Sequence, residues 1–234
     1  MIAQTFARYK SDLAIVTALA FTSGLCVVMY VARVLYTGQL HYLFMFWNLF
    51  LAWIPLGCAF AARAAYARHT WLRYPAFLLC AFFWLLFFPN ALYVMTDLIH
   101  LRAQPDLPLW FDATLFVAFA WTGLCLGFVS LYLMHGLVAR SLGWVAGWLF
   151  ALTSLGLSGF GVYLGRFLGW NSWDLFFQPT DLLADVWARV RHPLAHPRTY
   201  AISLLFAAFF SAAYFVLFAF KHLQPERPVV SDRE

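Results

Sequence analysis

The feature that most constrains this chain is a series of six apolar segments, each long enough to cross a lipid bilayer. A membrane-spanning helix needs about 20 consecutive apolar residues. The chain is 64% hydrophobic and 11% charged, whereas soluble domains carry about 25% charged residues. We therefore predict an all-α, polytopic membrane helical bundle with six transmembrane helices. The predicted spans are residues 12–36, 42–65, 74–98, 109–134, 143–168 and 199–221.

The longest polar interruption lies between the fifth and sixth segments, at residues 169–198. Within it, the stretch TDLLADVWARVR (180–191) has apolar residues at helical spacing and places Asp185 and Arg189 four residues apart. This pattern predicts a short helix that lies on the membrane surface. The remaining links are short, so we expect a single transmembrane domain over residues 1–222.

Lysine and arginine residues indicate the orientation. The first link, TGQLH (37–41), has no positive charge, whereas the second holds Arg63, Arg68 and Arg73. Because cytoplasmic links are enriched in Lys and Arg, both termini are predicted to be cytoplasmic and the 169–198 loop to lie outside. The basic residues form no patch of the kind that binds nucleic acid, so no such partner is expected. The polar tail 223–234 is predicted to be a disordered cytoplasmic end.

One apolar segment ends in a row of polar residues. In FFPNALYVMTDLIHL (87–101), Asn90, Tyr93, Asp97 and His100 are spaced three, four and three residues apart, which places them on one face of a helix. Pro89 precedes them and should free the backbone carbonyl of residue 85. Such an opening in a membrane must be filled by polar partners or water.

A second polar group follows the fifth segment, in GRFLGWNSWD (165–174). The small residues Ser154, Ser158, Gly161 and Gly165 form a stripe that should allow close helix packing and place Arg166 at the outer boundary. We expect the row on the third segment to face this segment in one outer cluster. Arg166 could then bind an anion, or could pair with a nearby aspartate.

The site hypothesis assigns a role to each polar residue. Asp97 would donate or accept a proton, with His100 as its partner, as in general acid–base catalysis. Asp112, in the first turn of its helix, is expected to act as a structural residue that favours the helix dipole. Asn48 is also expected to be structural, through an amide pair with Asn90 across two helices. The predicted substrate-binding residues are Arg166, Asp174, Asn90, Tyr93, Asn171 and Ser172.

The sequence predicts no cofactor. Four histidines are expected on the outer side, but their spacing matches no metal-binding motif, so a metal site is disfavoured. These residues are His41, His100, His192 and His196.

Three stretches resemble a bacterial membrane family known as domain of unknown function 1361. They are WNLFLAWIPL (47–56), FPNALYVMTDLIHL (88–101) and GRFLGWNSWD (165–174). The resemblance covers most of the chain and implies a polytopic protein of the bacterial inner membrane. It implies no activity and therefore assigns no residue a catalytic role.

The sequence leaves three functions open. The first is an outward-facing site that binds or processes a lipid-linked or small anionic substrate. The second is a structural or accessory subunit that docks a partner membrane protein, in which the polar cluster holds helices and loop together. The third is a small permease with proline-kinked helices around a polar site. The expected partners are membrane lipids, a lipid-linked substrate or another membrane protein.

Overall fold

The computed structural model describes residues 2–67, 71, 73–104 and 107–220, and the regular structure in these ranges is helical. Six of the helices are long and apolar enough to cross a membrane, which confirms the predicted all-α fold. The helices are α1 (Ile2–Thr37), α2 (Phe44–Tyr66), α3 (Arg73–Tyr93), α4 (Leu109–Leu142), α5 (Trp144–Leu168), α6 (Asp174–Phe177), α7 (Pro179–Arg191) and α8 (Pro197–Phe220). Two 3₁₀ segments, Val94–His100 and Pro193–Ala195, complete the structure. The predicted disordered tail 223–234 lies outside the described residues.

Helix α4 is the central helix of the bundle. It packs against α1, α2, α3 and α5, while α8 packs mainly against α5 and contacts α4 through Tyr214, whose hydroxyl lies 2.9 Å from His135 Nδ1. The short helices α6 and α7 connect α5 to α8. They lie at the end of the bundle where α3 and α5 finish and α2 and α4 begin, which we call the α7 end.

A buried ion pair joins α1 to α4 near the α7 end. The Arg33 guanidinium donates from Nε to Asp112 Oδ1 at 2.8 Å and from Nη2 to Oδ2 at 3.4 Å. Both side chains are almost fully excluded from solvent. The predicted helix-dipole role for Asp112 is therefore incomplete, because its carboxylate holds two helices together. A two-pronged guanidinium contact satisfies a buried carboxylate better than the helix dipole alone.

Glycines in α5 allow close packing on two sides. On one side, the predicted small-residue stripe packs against α3: a Cβ atom added to Gly161 would lie 2.9 Å from Pro89 Cβ, and one added to Gly165 would lie 3.0 Å from the Tyr93 ring. On the other side, Gly159 faces the backbone of α8, where an added Cβ would collide with the Ser203 carbonyl oxygen. The close packing predicted for this helix is confirmed at Gly161 and Gly165.

We predict that Gly159→Ala destabilises the protein by about 1–3 kcal/mol, the usual cost of overpacking. The collision is with backbone atoms of α8, so a side-chain rotation cannot relieve it. Gly156→Ala, three residues earlier in the same helix, is the matched control, since an added Cβ there has no neighbour within 4 Å. Thermal unfolding in detergent measures both variants. Equal unfolding temperatures for the two would disprove the tight α5–α8 contact.

Candidate functional site

A change of helix type positions Asp97 and His100, the last two residues of the polar row that begins at Asn90. The α-helix ends at Tyr93 and the chain continues as a 3₁₀ segment to His100, so the span predicted at residues 74–98 is made of two kinds of helix. The Thr96 hydroxyl donates to the Tyr93 carbonyl at 2.7 Å, which occupies an acceptor that the next α-helical turn would use. In a 3₁₀ helix residues i and i+3 are eclipsed. Asp97 and His100 therefore lie on one face.

Arg166 lies at the centre of the polar cluster at the α7 end. Its Nη2 donates to Asp97 Oδ1, its Nε donates to Thr96 Oγ1 at 2.9 Å, and its Nη1 donates to His100 Nε2 at 2.7 Å. The guanidinium carbon also lies 4.3 Å from the centroid of the Tyr93 ring. We call these five residues the Arg166 clasp. The expected contact between the α3 row and Arg166 is present, and Arg166 takes the aspartate-pairing alternative.

The second oxygen of Asp97 is bound by α2. Asn48 Nδ2 donates to Asp97 Oδ2 at 2.8 Å, and Asp97 is 1% exposed. The predicted amide pair between Asn48 and Asn90 was therefore wrong. A carboxylate is a stronger acceptor than an amide oxygen, and Asn48 reaches it.

The clasp also involves the His100 ring. Arginine can only donate hydrogen bonds, so His100 Nε2 is the acceptor in this contact. The His100 ring packs edge-on against Phe44 at 5.1 Å between centroids, and the residue is exposed.

The turn after α5 provides the second half of the site. Helix α5 ends at Leu168 and is capped by Gly169, whose φ of 79° is the left-handed conformation that glycine adopts most readily. The next residues place Ser172 against α3, where its hydroxyl donates to the Leu86 carbonyl at 2.9 Å and accepts from Asn90 Nδ2 at 2.8 Å. The Ser172 hydroxyl therefore fills the opening next to Pro89, but it binds the carbonyl of Leu86 and not the predicted carbonyl of residue 85.

Asp174 does not join the clasp. Its Oδ2 accepts hydrogen bonds from the backbone N–H of Asn171 at 2.7 Å and from Asn171 Nδ2 at 3.3 Å. These bonds close the turn that begins α6. The carboxylate of Asp174, a predicted substrate-binding residue, is therefore held within this turn by a backbone donor.

A cavity of about 390 Å³ lies beside the clasp. Its walls come from α2, α3 and α5, and the turn after α5 together with α6 and α7 covers it at the α7 end. We call it the groove. Its lining residues are Trp47, Asn48, Leu51, Phe82, Leu85, Leu86, Pro89, Asn90, Tyr93, Leu157, Phe160, Gly161, Leu164, Gly165, Trp170, Asn171, Ser172, Leu175 and Leu182.

All three asparagines of the chain line this groove. Asn48 comes from α2, Asn90 from α3 and Asn171 from the turn after α5. Asparagine is strongly disfavoured in the apolar interior of a membrane, so the convergence of all of them on one space indicates a site.

The groove contains some of the predicted site residues and leaves out others. Asn90, Tyr93, Asn171 and Ser172 line it, whereas the charged residues of the cluster do not. Tyr93 separates the groove from the clasp, because it lines the groove and also has Arg166 over its ring. The ionisable residues of the predicted site that lie outside the lining are Asp97, His100, Arg166 and Asp174.

Sequence reasoning missed the apolar half of the groove. Phe82, Leu157 and Phe160 look like any other apolar residue of a membrane helix. A sequence signal was nevertheless available, because the three asparagines are each predicted to lie at the same side of the membrane. In the described ranges, no group of three His, Cys, Asp or Glu residues is placed to hold a metal ion, and the expectation of no cofactor stays a prediction.

Residues 47–227 match a family described as protein of unknown function (DUF1361). The match covers more than half of the chain, so this protein belongs to that family. The clasp and the groove both lie within the matched range. Comparisons with curated proteins and with solved structures found no significant match.

We predict that Arg166→Ala destabilises the protein by about 3–5 kcal/mol, because it leaves the buried Asp97 carboxylate without its cation. Arg102→Ala is the control: Arg102 is an exposed arginine in the loop that follows His100, and its loss should change stability by less than about 0.5 kcal/mol. Thermal unfolding in detergent measures the difference.

A double-mutant cycle separates the ion pair from general damage. Asp97→Ala combined with Arg166→Ala should cost less than the sum of the single changes, by about 0.5–3 kcal/mol. Strictly additive losses would show that the two side chains do not stabilise each other.

Proposed function

We propose that this protein binds a lipid-like molecule in the groove, with its polar part at the α7 end and its hydrocarbon chain along α3 and α5. The observation that carries this proposal is the separation of polar and apolar residues along the groove.

The groove changes in polarity along its length. Its lining on α3 runs from Phe82 to Tyr93, which is about 16 Å at a rise of 1.5 Å per residue. One end is formed by apolar residues such as Phe82 and Leu157, and the other by the asparagines and Ser172. An elongated space that is apolar at one end and polar at the other fits an amphipathic molecule.

The groove is reachable from the bilayer. Phe82, Leu85 and Leu157 line it and are 48%, 40% and 48% exposed. In a membrane, exposed apolar side chains on spanning helices face lipid. A lipid could therefore enter sideways, without passing through water.

Helix α7 fits a position at the membrane surface. Leu182 covers the polar end of the groove, while Leu183, Trp187 and Val190 expose more than half of their surface. A short helix with an exposed apolar face is suited to the boundary between hydrocarbon and head groups.

The clasp supports the groove from behind. Arg166 lies over the ring of Tyr93, and Asp97 holds Asn48, so both groove residues are fixed by groups outside it. Both oxygens of Asp97 are bound, to Arg166 and Asn48. This geometry favours ligand binding, and proton transfer by Asp97 and His100 stays a prediction.

We further propose that the protein lies in a bacterial inner membrane with both termini cytoplasmic and the α7 end outside. The support is the distribution of charge: the link TGQLH (37–41) has no Lys or Arg, whereas Arg63 lies at the opposite end of α2. Positive residues are retained on the cytoplasmic side.

A structural or accessory role is the second candidate. It is supported by the clasp, whose charged groups bind one another and connect α2, the 3₁₀ segment and α5. A permease has less support, because the groove lining begins at Phe82 and Leu157 and extends toward the α7 end.

We predict that the purified protein retains a lipid and that Leu157→Trp lowers its occupancy by about tenfold, a loss of roughly 1.4 kcal/mol. The larger ring would occupy the apolar half of the groove. Leu152→Trp is the matched control, since Leu152 is 40% exposed on the same helix but lies outside the lining. Native mass spectrometry from mild detergent measures occupancy. An equal loss in both variants, or no retained lipid in the parent protein, would contradict the proposal.

A further inference from the structure

The hydrogen bonds of the three asparagines restrict what the groove can bind. Each amide has one oxygen that accepts and one nitrogen that donates, so the protein partners reveal which atoms remain for a ligand. This inference rests on the proposed lipid-binding function and names the chemical class of the ligand.

The partners fix the orientation of each amide. Asn48 binds a carboxylate oxygen of Asp97, which only accepts, so the contacting atom is Nδ2. Asn90 contacts the Ser172 hydroxyl, whose one hydrogen already goes to the Leu86 carbonyl, so Asn90 must donate from Nδ2.

Asn171 is fixed in the same way. Its Nδ2 lies 3.5 Å from the Gly169 carbonyl oxygen and 3.3 Å from Asp174 Oδ2, and both are acceptors. Each of the three amide nitrogens therefore donates to the protein, and in the described ranges one N–H of Asn48 and one N–H of Asn90 have no protein acceptor. Among the described residues, no donor hydrogen bonds to the three amide oxygens.

The groove also lacks charge. None of its lining residues is Lys, Arg, His, Asp or Glu. The nearest arginine, Arg166, is neutralised by Asp97 behind the Tyr93 wall. An anionic head group would find no cation in the lining, and the remaining amide N–H groups, one on Asn48 and one on Asn90, carry no net charge to balance it.

We propose that the groove binds an uncharged lipid whose head group donates hydrogen bonds, such as one or more free hydroxyls. The amide oxygens of Asn48, Asn90 and Asn171 would accept those bonds. The anionic substrate expected from Arg166 is replaced by a neutral hydroxyl-bearing one.

Three lipids with identical acyl chains test this proposal. Dioleoylglycerol offers a hydroxyl, its O-acetyl derivative offers no donor, and dioleoyl phosphatidic acid carries a phosphate at the same position. Each is added to delipidated, folded protein in detergent, and retention is measured by native mass spectrometry. Dioleoylglycerol should be retained roughly tenfold more than either analogue, since each lost hydrogen bond weakens binding several-fold.

A pair of variants locates the effect. Asn171→Ala removes one of the three amide oxygens that would accept a bond from the lipid hydroxyl, and should lower dioleoylglycerol retention several-fold. The side-chain bonds lost with it lie within the turn 169–174. Gln178→Ala removes an exposed amide at the same end of the bundle but outside the lining, and should have no effect.

The outcomes separate this inference from the proposed function. The proposal of an uncharged, hydrogen-bond-donating head group would be overturned if the acetylated or phosphorylated lipid were retained as well as dioleoylglycerol or better. Equal effects of the two variants would also overturn it. In both cases the proposed lipid binding would still stand. Failure of the parent protein to retain any of the three lipids would overturn both.

Discussion

The buried ion pair between Arg166 and Asp97 is the interaction on which the α7 end depends. A charge in the hydrocarbon region is costly unless it is paired and hydrogen-bonded. Here the guanidinium binds a carboxylate, a hydroxyl and an imidazole, while the carboxylate also accepts from Asn48. Because these partners come from α2, the 3₁₀ segment and α5, the pair fixes three elements relative to one another. The groove lies beside the pair, with walls from α2, α3 and α5.

Two further devices shape the groove. Gly161 and Gly165 bring α5 close to Pro89 and Tyr93 on α3, which sets the distance between two of its walls. The left-handed Gly169 then turns the chain so that Ser172 reaches the Leu86 carbonyl. Together they place an uncharged polar lining next to, and separate from, a charged cluster. This separation explains why the residues most suggestive of chemistry do not line the cavity.

The sequence predicted the six spans, because length and hydropathy alone determine which segments can cross a bilayer. It also predicted that the polar row containing Asp97 faces the segment containing Arg166, since both fall at the same end of the bundle, and left open which partner Arg166 takes. It could not predict that Asn48 binds Asp97 or that Asp174 turns back to Asn171, because those choices depend on which acceptor lies within 3 Å. The Arg33–Asp112 pair was missed although both residues lie at the same end, since an acidic residue in a first helical turn has a local explanation.

The proposed function requires that a lipid occupies the groove. Cross-linking with a lipid that carries a photoreactive group on its acyl chain, followed by peptide mass spectrometry, would locate the bound chain in the folded protein. We expect cross-links at Phe82, Leu157 and Phe160, which line the apolar half of the groove, in clear excess over Leu152 and Leu204, which are exposed elsewhere on α5 and α8. Cross-links spread evenly over all lipid-facing residues would show that the groove holds no bound lipid and would contradict the proposed function.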